Sequence, residues 1–198
     1  MRSLIVGRRG VVLSAALCLL WALPVSATGV ETKLAIPLFL KIVSYDERFV
    51  AQKKLDTLRM YFLYDFADAK SYQQYQDAKE YFSTVGELTV SGVPVKLLGI
   101  QRPDADSIII LAPDSLYSIV VCAAGQGPKF QEMSSKLRLK NCHSFALDCG
   151  DLAAGVAVSV EAKKHKTAIV VNLRSARAEG SRFSARLLSM CTIVDRPS

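Results

Sequence analysis

The sequence predicts an α/β protein, a three-layer sandwich with a mixed, largely parallel sheet and a C-terminal hairpin. Three observations carry that expectation. Short β-branched and aromatic runs alternate with polar stretches of helical period, the pattern of strands joined by helices. A helix between successive strands satisfies the crossover rule for parallel pairing. Near the end of the chain, two apolar runs flank the basic cluster Lys163-Lys164-His165-Lys166, which reads as the solvated tip of an antiparallel hairpin. No internal repeat, linker or low-complexity tract interrupts the pattern, so residues 28–198 are expected to form one domain.

Residues 33–45 place Leu34, Leu38, Phe39, Ile42 and Val43 on one helical face, with Pro37 expected in the first turn. Asp46-Glu47-Arg48 and Lys53-Lys54 read as a solvated connection. Residues 58–64 are aromatic and aliphatic, the composition of a strand. Residues 69–82 carry Tyr72, Tyr75, Ala78, Tyr81 and Phe82 in helical register, a half-buried packing stripe. Gly92-Val93-Pro94 leads into a second core strand at 95–100. Residues 107–111 are β-branched and locally strand-like, yet the crossover rule favours a helical connector ended by Pro113. A third strand is expected at 117–123, a polar helix at 129–139, and strands at 143–147, 156–160 and 166–171. Asn172 then opens a short helix that Gly180 stops. A final amphipathic helix is expected to carry Phe183, Leu187, Met190, Cys191 and Val194 on its inner face.

The first 27 residues read as a secretory signal. Arg2, Arg8 and Arg9 precede an apolar core from Val11 to Leu23, and Val25-Ser26-Ala27 offers the small residues of a cleavage site after Ala27. The apolar run is shorter than the ~20 residues of a membrane span. The expected location is therefore the periplasm. The full chain has a formal net charge of +7. Removing the signal takes away three arginines and no acids, leaving a mildly basic chain. Its charges are scattered, without the large basic patch and interleaved aromatics of a nucleic-acid surface. The basic tip is a solvated turn, or a contact for anionic lipid or an acidic partner.

Cys122, Cys142, Cys149 and Cys191 remain after cleavage, and in an exported protein an even count invites disulfides. Cys142 and Cys149 are close in sequence but bracket one strand. Seven extended steps span roughly 23 Å, whereas a disulfide needs Cα atoms within about 7 Å. Cys122 with Cys149 is at least as good a pairing, and Cys191 reads as a buried thiol. With two histidines, His143 and His165, and no C-x-x-C spacing, no metal site is expected.

Gly125-Gln126-Gly127 lies between a strand and a helix, where ligands collect in open α/β sheets and helix N–H groups meet anions. It is either a ligand site or a plain glycine turn, and Phe130 stands where a dinucleotide fingerprint needs its third glycine, so no nucleotide cofactor is implied. Asn172 is either a ligand contact at a strand end or a helix cap. Arg174, Arg177, Arg182 and Arg186 can engage a partner's carboxylates, or each is solvated surface. No nucleophile, base and orienting group are marked out by the sequence, so no enzyme is expected.

The C-terminal pattern of Asn172-Leu173, Ala176-Arg177, Gly180 and Ser184 to Leu188 resembles the closing segment of the YfiR-like family of exported bacterial regulatory proteins. Leu40-Lys41-Ile42-Val43-Ser44-Tyr45-Asp46 is similar to the first helix of a branch of that family with Lys-x-x-Ser-Tyr-Asp. Other members end that helix in Trp-Pro, which this chain lacks. The resemblance runs over roughly residues 33–194. It implies an exported α/β sandwich, often a homodimer, that acts without catalysis in envelope signalling. Its partner would be an inner-membrane signalling protein, a diguanylate cyclase of the cyclic-di-GMP pathway or a sensor kinase. The departure at Trp-Pro leaves the partner's identity open. Redox-sensitive pairing of the cysteines would be one way to release such a partner. The alternative is a periplasmic small-ligand-binding protein, accessory to a transporter or sensor kinase, using the crevice at Gly125 to Gly127.

Overall fold

The computed structural model describes residues 30–52, 55–114, 116–163 and 166–195. The expected signal segment and the centre of the basic tip, Lys164-His165, lie outside them. In chain order the elements are α1 (Thr32–Val43), α2 (Glu47–Ala51), β1 (Leu58–Tyr64), α3 (Ala69–Val85), β2 (Thr89–Val90), β3 (Val93–Gln101), α4 (Ser107–Leu111), β4 (Ser118–Cys122), α5 (Gly127–Leu139), β5 (Cys142–Ala146), β6 (Val158–Lys163), β7 (Lys166–Asn172), α6 (Leu173–Ala178), α7 (Ala185–Leu188) and β8 (Thr192–Val194). Short 3-10 turns cover Arg102–Asp104 and Cys149–Ala154.

The strands form one eight-stranded sheet in the order β2-β3-β1-β4-β5-β6-β7-β8. The pairs β3/β1, β1/β4, β4/β5, β5/β6 and β7/β8 are parallel, and β2/β3 and β6/β7 are antiparallel. The strand period of two sorts the side chains into two cores. Leu58, Met60 and Phe62 of β1, with Ile119 and Val121 of β4, meet α1 residues such as Ile36 and Phe39 on one face. Tyr61, Leu63, Val120 and Cys122 point the other way and pack with Phe130, Met133 and Leu137 of α5 and Ile108 of α4. Helices, sheet and helices make the three layers the sequence predicts. Among the described residues no helix is long and apolar enough to cross a membrane.

Residues 107–111 are a helix, and it ends at Leu111 because the residue before Pro113, Ala112, is extended (ψ 127°). Four expectations need correction. Helix α1 begins at Thr32, so Pro37 lies inside it rather than in its first turn, and the carbonyl of Lys33 has no N–H at residue 37 to accept. Strand β3 is mostly half-buried rather than a core strand, because its outer neighbour β2 is two residues long and leaves it near the sheet edge. The last helix is short: Ser184 caps it by accepting from Leu187 N at 3.3 Å, and the chain turns after Leu188. The β-branched Thr192-Ile193-Val194 then pairs alongside Val170-Val171-Asn172, leaving Met190 57% exposed instead of on an inner helical face.

The fourth correction concerns the cysteines, all four of which are free thiols in this structure. The β4/β5 register sets Cys122 opposite Ala146 and Cys142 opposite Ser118, at opposite ends of neighbouring strands. Cys149 turns toward β6, with its Sγ 3.6 Å from Val160 O and 3.5 Å from Ser159 Oγ. Burial pushes the Cys142 thiol up to about 12, with Glu179 adding to the shift. Cys191 donates to Leu187 O at 3.1 Å and is half-buried.

Candidate ligand cleft

The sheet reverses its winding between β1 and β4: the chain leaves β1 through α3 to reach β3 on one side, then crosses back to β4 on the other. Ligands of open α/β sheets sit at such a point, beyond the carboxyl ends of the strands. Here side chains of the protein fill it. Gly127 N donates to Asp151 Oδ1 at 3.1 Å and Ala124 N donates to Gln74 Oε1 at 2.8 Å. Ser71 Oγ accepts from Asp65 N at 2.9 Å and lies 3.5 Å from Gln126 Nε2. Gly125 has φ +76°, and a Cβ on Gly127 would overlap the Asp151 carboxylate.

The expected ligand contacts at Gly125, Gln126 and Gly127 therefore form a turn whose helix end already faces a carboxylate. Burial first, and Asp148 second, push the Asp151 carboxyl up to about 6, against the pull of the Gly127 N–H. Asn172 is fully buried and is a cap: it accepts from Ser175 N at 3.3 Å and donates to Leu152 O at 3.4 Å. That second bond ties Asn172 to the 3-10 turn that carries Asp151.

A second hollow is built where the α1–α2 connection meets residues 179–184. Asp46 is fully buried, and its Oδ1 accepts from Arg48 N at 2.9 Å and Arg182 N at 3.1 Å. Its Oδ2 accepts from Tyr117 Oη at 3.0 Å. Glu47 N donates to Arg182 O at 2.9 Å and Ser184 N to Tyr45 O at 3.1 Å, so residues 45–47 and 182–184 form a short antiparallel bridge. Beneath it Tyr117 stacks on His143 with ring centroids 3.9 Å apart, and His143 Nδ1 lies 2.6 Å from Ser181 Oγ.

Residues 179–181 complete the part of β5 that β6 leaves unpaired, since those strands pair only through Phe145 and Ala146. Glu179 is buried there, accepting from Ser144 N at 2.8 Å and from the Ser144 hydroxyl. Burial pushes its carboxyl up to about 8 although both Ser144 bonds oppose the shift.

Over this polar layer opens a cleft of about 670 Å³, lined by Glu47, Arg48, Ala51, Arg177, Gly180, Ser181 and Arg182. Arg48 is held in place: Nη1 donates to Gly180 O at 3.4 Å and Nη2 to Asn141 Oδ1. Gly180 has φ +82°, and a Cβ there would overlap the Arg48 guanidinium. Arg177 and Arg182 are exposed, and among the described residues no carboxylate lies within ion-pair distance of either.

Of the four arginines singled out in the sequence, the cleft gathers Arg177 and Arg182. Arg174 instead pairs with Asp195 at 3.4 Å, and Arg186 lies exposed on α7 outside the cleft lining. Arg48 joins the site although the sequence reads it as part of a solvated connection. The available signal was its position two residues after a helix-capping aspartate.

A serine and a histidine beside a cleft invite comparison with a nucleophile and its base. Burial, with Arg48 adding, lowers the His143 imidazole to about 3, and its Nε2 has no hydrogen-bond partner. Such a group is a poor proton acceptor at neutral pH and lacks an orienting acid.

Several solved structures share the architecture. A conserved domain protein from Vibrio cholerae matches with a TM-score of 0.57 at 10% identity, over 82% of this chain and 59% of its own. The ligand-free, open form of a substrate-binding protein with adhesive properties from Clostridium difficile matches with 0.57 at 13%, over 82% and 60%. The ABC domain in complex with L-Trp from Streptococcus pneumoniae matches with 0.56 at 10%, over 83% and 60%. The likeness is one of fold. The chain spans about three fifths of the length of each of these structures. No family model matches the chain, and no curated protein matches it significantly.

Proposed function

We propose that the protein is an exported, non-enzymatic binding protein of the bacterial envelope that takes an anionic group in the Arg48–Arg177–Arg182 cleft. The observation that carries this reading is the pair of exposed, unpaired guanidiniums flanking a hollow whose third arginine is fixed. Guanidinium forks match carboxylate and phosphate oxygens in paired, charge-assisted bonds. The hollow is also of a size that receives small ligands. The shared fold with a substrate-binding protein and with a domain bound to L-Trp supports it. A thermal-shift panel of carboxylates and phosphate monoesters tests it. The wild type should be stabilised by at least one class and the Arg177→Ala, Arg182→Ala double variant by none. Equal shifts in both proteins would defeat the reading.

A second reading is regulatory, and one observation favours it. The two sequence blocks that resemble the YfiR-like family meet at Asp46, and the second of them lines the cleft with Arg177 and Gly180. In this reading the bound species is the periplasmic part of an inner-membrane signalling protein, and binding favours that partner's inactive conformation. Crosslinking and pull-down from the bacterial envelope should then recover an inner-membrane cyclase or kinase. Recovery of the protein alone, or of its own dimer, would leave the small-ligand reading.

A further inference from the structure

The arginine cleft is one end of a longer trough. Beside it lies a hollow of about 320 Å³ that includes Tyr45, Val50 and Ser184, and the two share Glu47 and Ala51. Beyond that is a third hollow of about 540 Å³ near Lys41, Tyr81 and Leu88, which shares Ser44 and Tyr45 with the second. The row thus follows the outer side of the α1–α2 connection from Lys41 to Arg182. Its middle is apolar, with Val50 59% exposed at the wall. Its ends are cationic: Lys41 lies over the Tyr45 ring at 5.3 Å, and Arg177 and Arg182 stand free at the far end.

A compact ligand needs one hollow of roughly 300–1,000 Å³, whereas three in a row suit a chain. Alternate side chains of an extended segment point to the same side, so one strand can address successive hollows. The charges select its composition. A basic segment would meet like charges at both ends, and a purely apolar one would bury guanidiniums without partners.

We propose that this trough binds an extended segment of a partner protein, with an apolar side chain in the middle hollow and acidic side chains reaching Lys41 at one end and Arg177 and Arg182 at the other. This rests on the cleft being an anion site and names the chemistry of what enters it. Glu47, between the middle hollow and the arginines, sets the register by repelling an acidic side chain placed one step too early.

The test is selection of a random decapeptide display library on the purified protein, followed by fluorescence anisotropy with a labelled peptide of the enriched sequence. Enriched peptides should carry an apolar residue flanked by Asp or Glu. Arg177→Glu with Arg182→Glu should weaken the peptide by roughly tenfold or more, the worth of one charge-assisted pair, and should improve binding of a version with lysine at the matching end. Ala51→Trp, which fills the middle hollow from an exposed position, should weaken it comparably while the melting temperature holds.

Enriched peptides without acidic residues, or acidic peptides indifferent to both variants, would overturn the proposal. So would a solution dimer whose partner copy occludes the trough. If carboxylates shift the melting temperature through Arg177 and Arg182 but no peptide is enriched, this inference falls and the anion site stands. If neither binds, both fall.

Discussion

Two glycine turns in this molecule have opposite electrostatic endings. At Gly125, where the winding of the sheet reverses, the backbone N–H of Gly127 is met by the Asp151 carboxylate and that of Ala124 by Gln74. At Gly180 the buried carboxylate of Asp46 is spent on backbone and phenol donors beneath the surface, and the guanidiniums of Arg177 and Arg182 are left over. The first place has the favoured position in the fold, and its helix end already faces a carboxylate. The second has an ordinary position and an unmet capacity. Position within an architecture tells where sites can be built, and the remaining donors tell which of them is open to an anion.

The contrast can be broken from the Gly180 side first. Asp46→Ala removes the acceptor of three hydrogen bonds in a buried setting and should cost about 3 kcal/mol or more in urea denaturation. A loss below ~1 kcal/mol would mean the α1–α2 connection and residues 182–184 are held together by something else. Gly180→Ala imposes a left-handed φ on a residue with a Cβ, a cost of about 1–2 kcal/mol. It also displaces Arg48, so ligand-induced stabilisation should fall along with the melting temperature.

The buried carboxyls give a pH dependence opposite to that of paired surface acids. Glu179 is raised from 4.5 to about 8 and Asp151 from 3.8 to about 6, both chiefly by burial. A carboxyl raised in the folded state binds its proton more tightly there than in the unfolded chain. Its contribution is therefore complete below the unfolded value and is lost as pH climbs toward the folded value. His143, lowered by burial from 6.5 to about 3, works in the opposite sense over the lower part of this range, so the net decline should be clearest from about pH 6.5 to about pH 8, where Glu179 acts unopposed, on the order of 2 kcal/mol. Glu179→Gln should flatten the upper part of that decline, and an unchanged slope would assign the effect to another group.

Smaller effects sharpen the comparison. The Arg177→Ala, Arg182→Ala variant should unfold within ~0.5 kcal/mol of the wild type, since these side chains are exposed and unpaired, while its ligand response disappears. Arg174→Ala, which breaks only a surface pair with Asp195, should change stability by ~0.5 kcal/mol or less and leave ligand response intact.

The strands were legible where β-branched and aromatic residues concentrate, as at β1, β4 and β7, and the caps at Asn172 and Gly180 were readable from residue type and order. Strand β8 was not. Leu187, Met190, Cys191 and Val194 recur with helical spacing, and only lateral pairing with β7, a tertiary effect, makes Thr192–Val194 extended. The turn at Gly125 was visible, and so was a turn through Gly150-Asp151, but nothing local shows that Asp151, 24 residues beyond Gly127, folds back to meet its N–H. The cleft escaped for the same reason. Arg48 and Arg182 are brought together by Asp46 through a contact spanning 136 residues, which no local pattern encodes.

That long-range closure has a consequence for biogenesis. The polypeptide is made and released from its N-terminus onward, so Asp46, Tyr117 and His143 exist long before Arg182, Ser181 and Glu179 arrive to saturate them. Until Glu179 and Arg182 emerge, β5 carries an open margin at Ser144 and Asp46 lacks one of its three donors. Such incomplete margins are where nascent chains associate wrongly or are cut. Truncation between Asn172 and Ser184 should thus yield a chain that does not reach its native state, however intact its first seven strands.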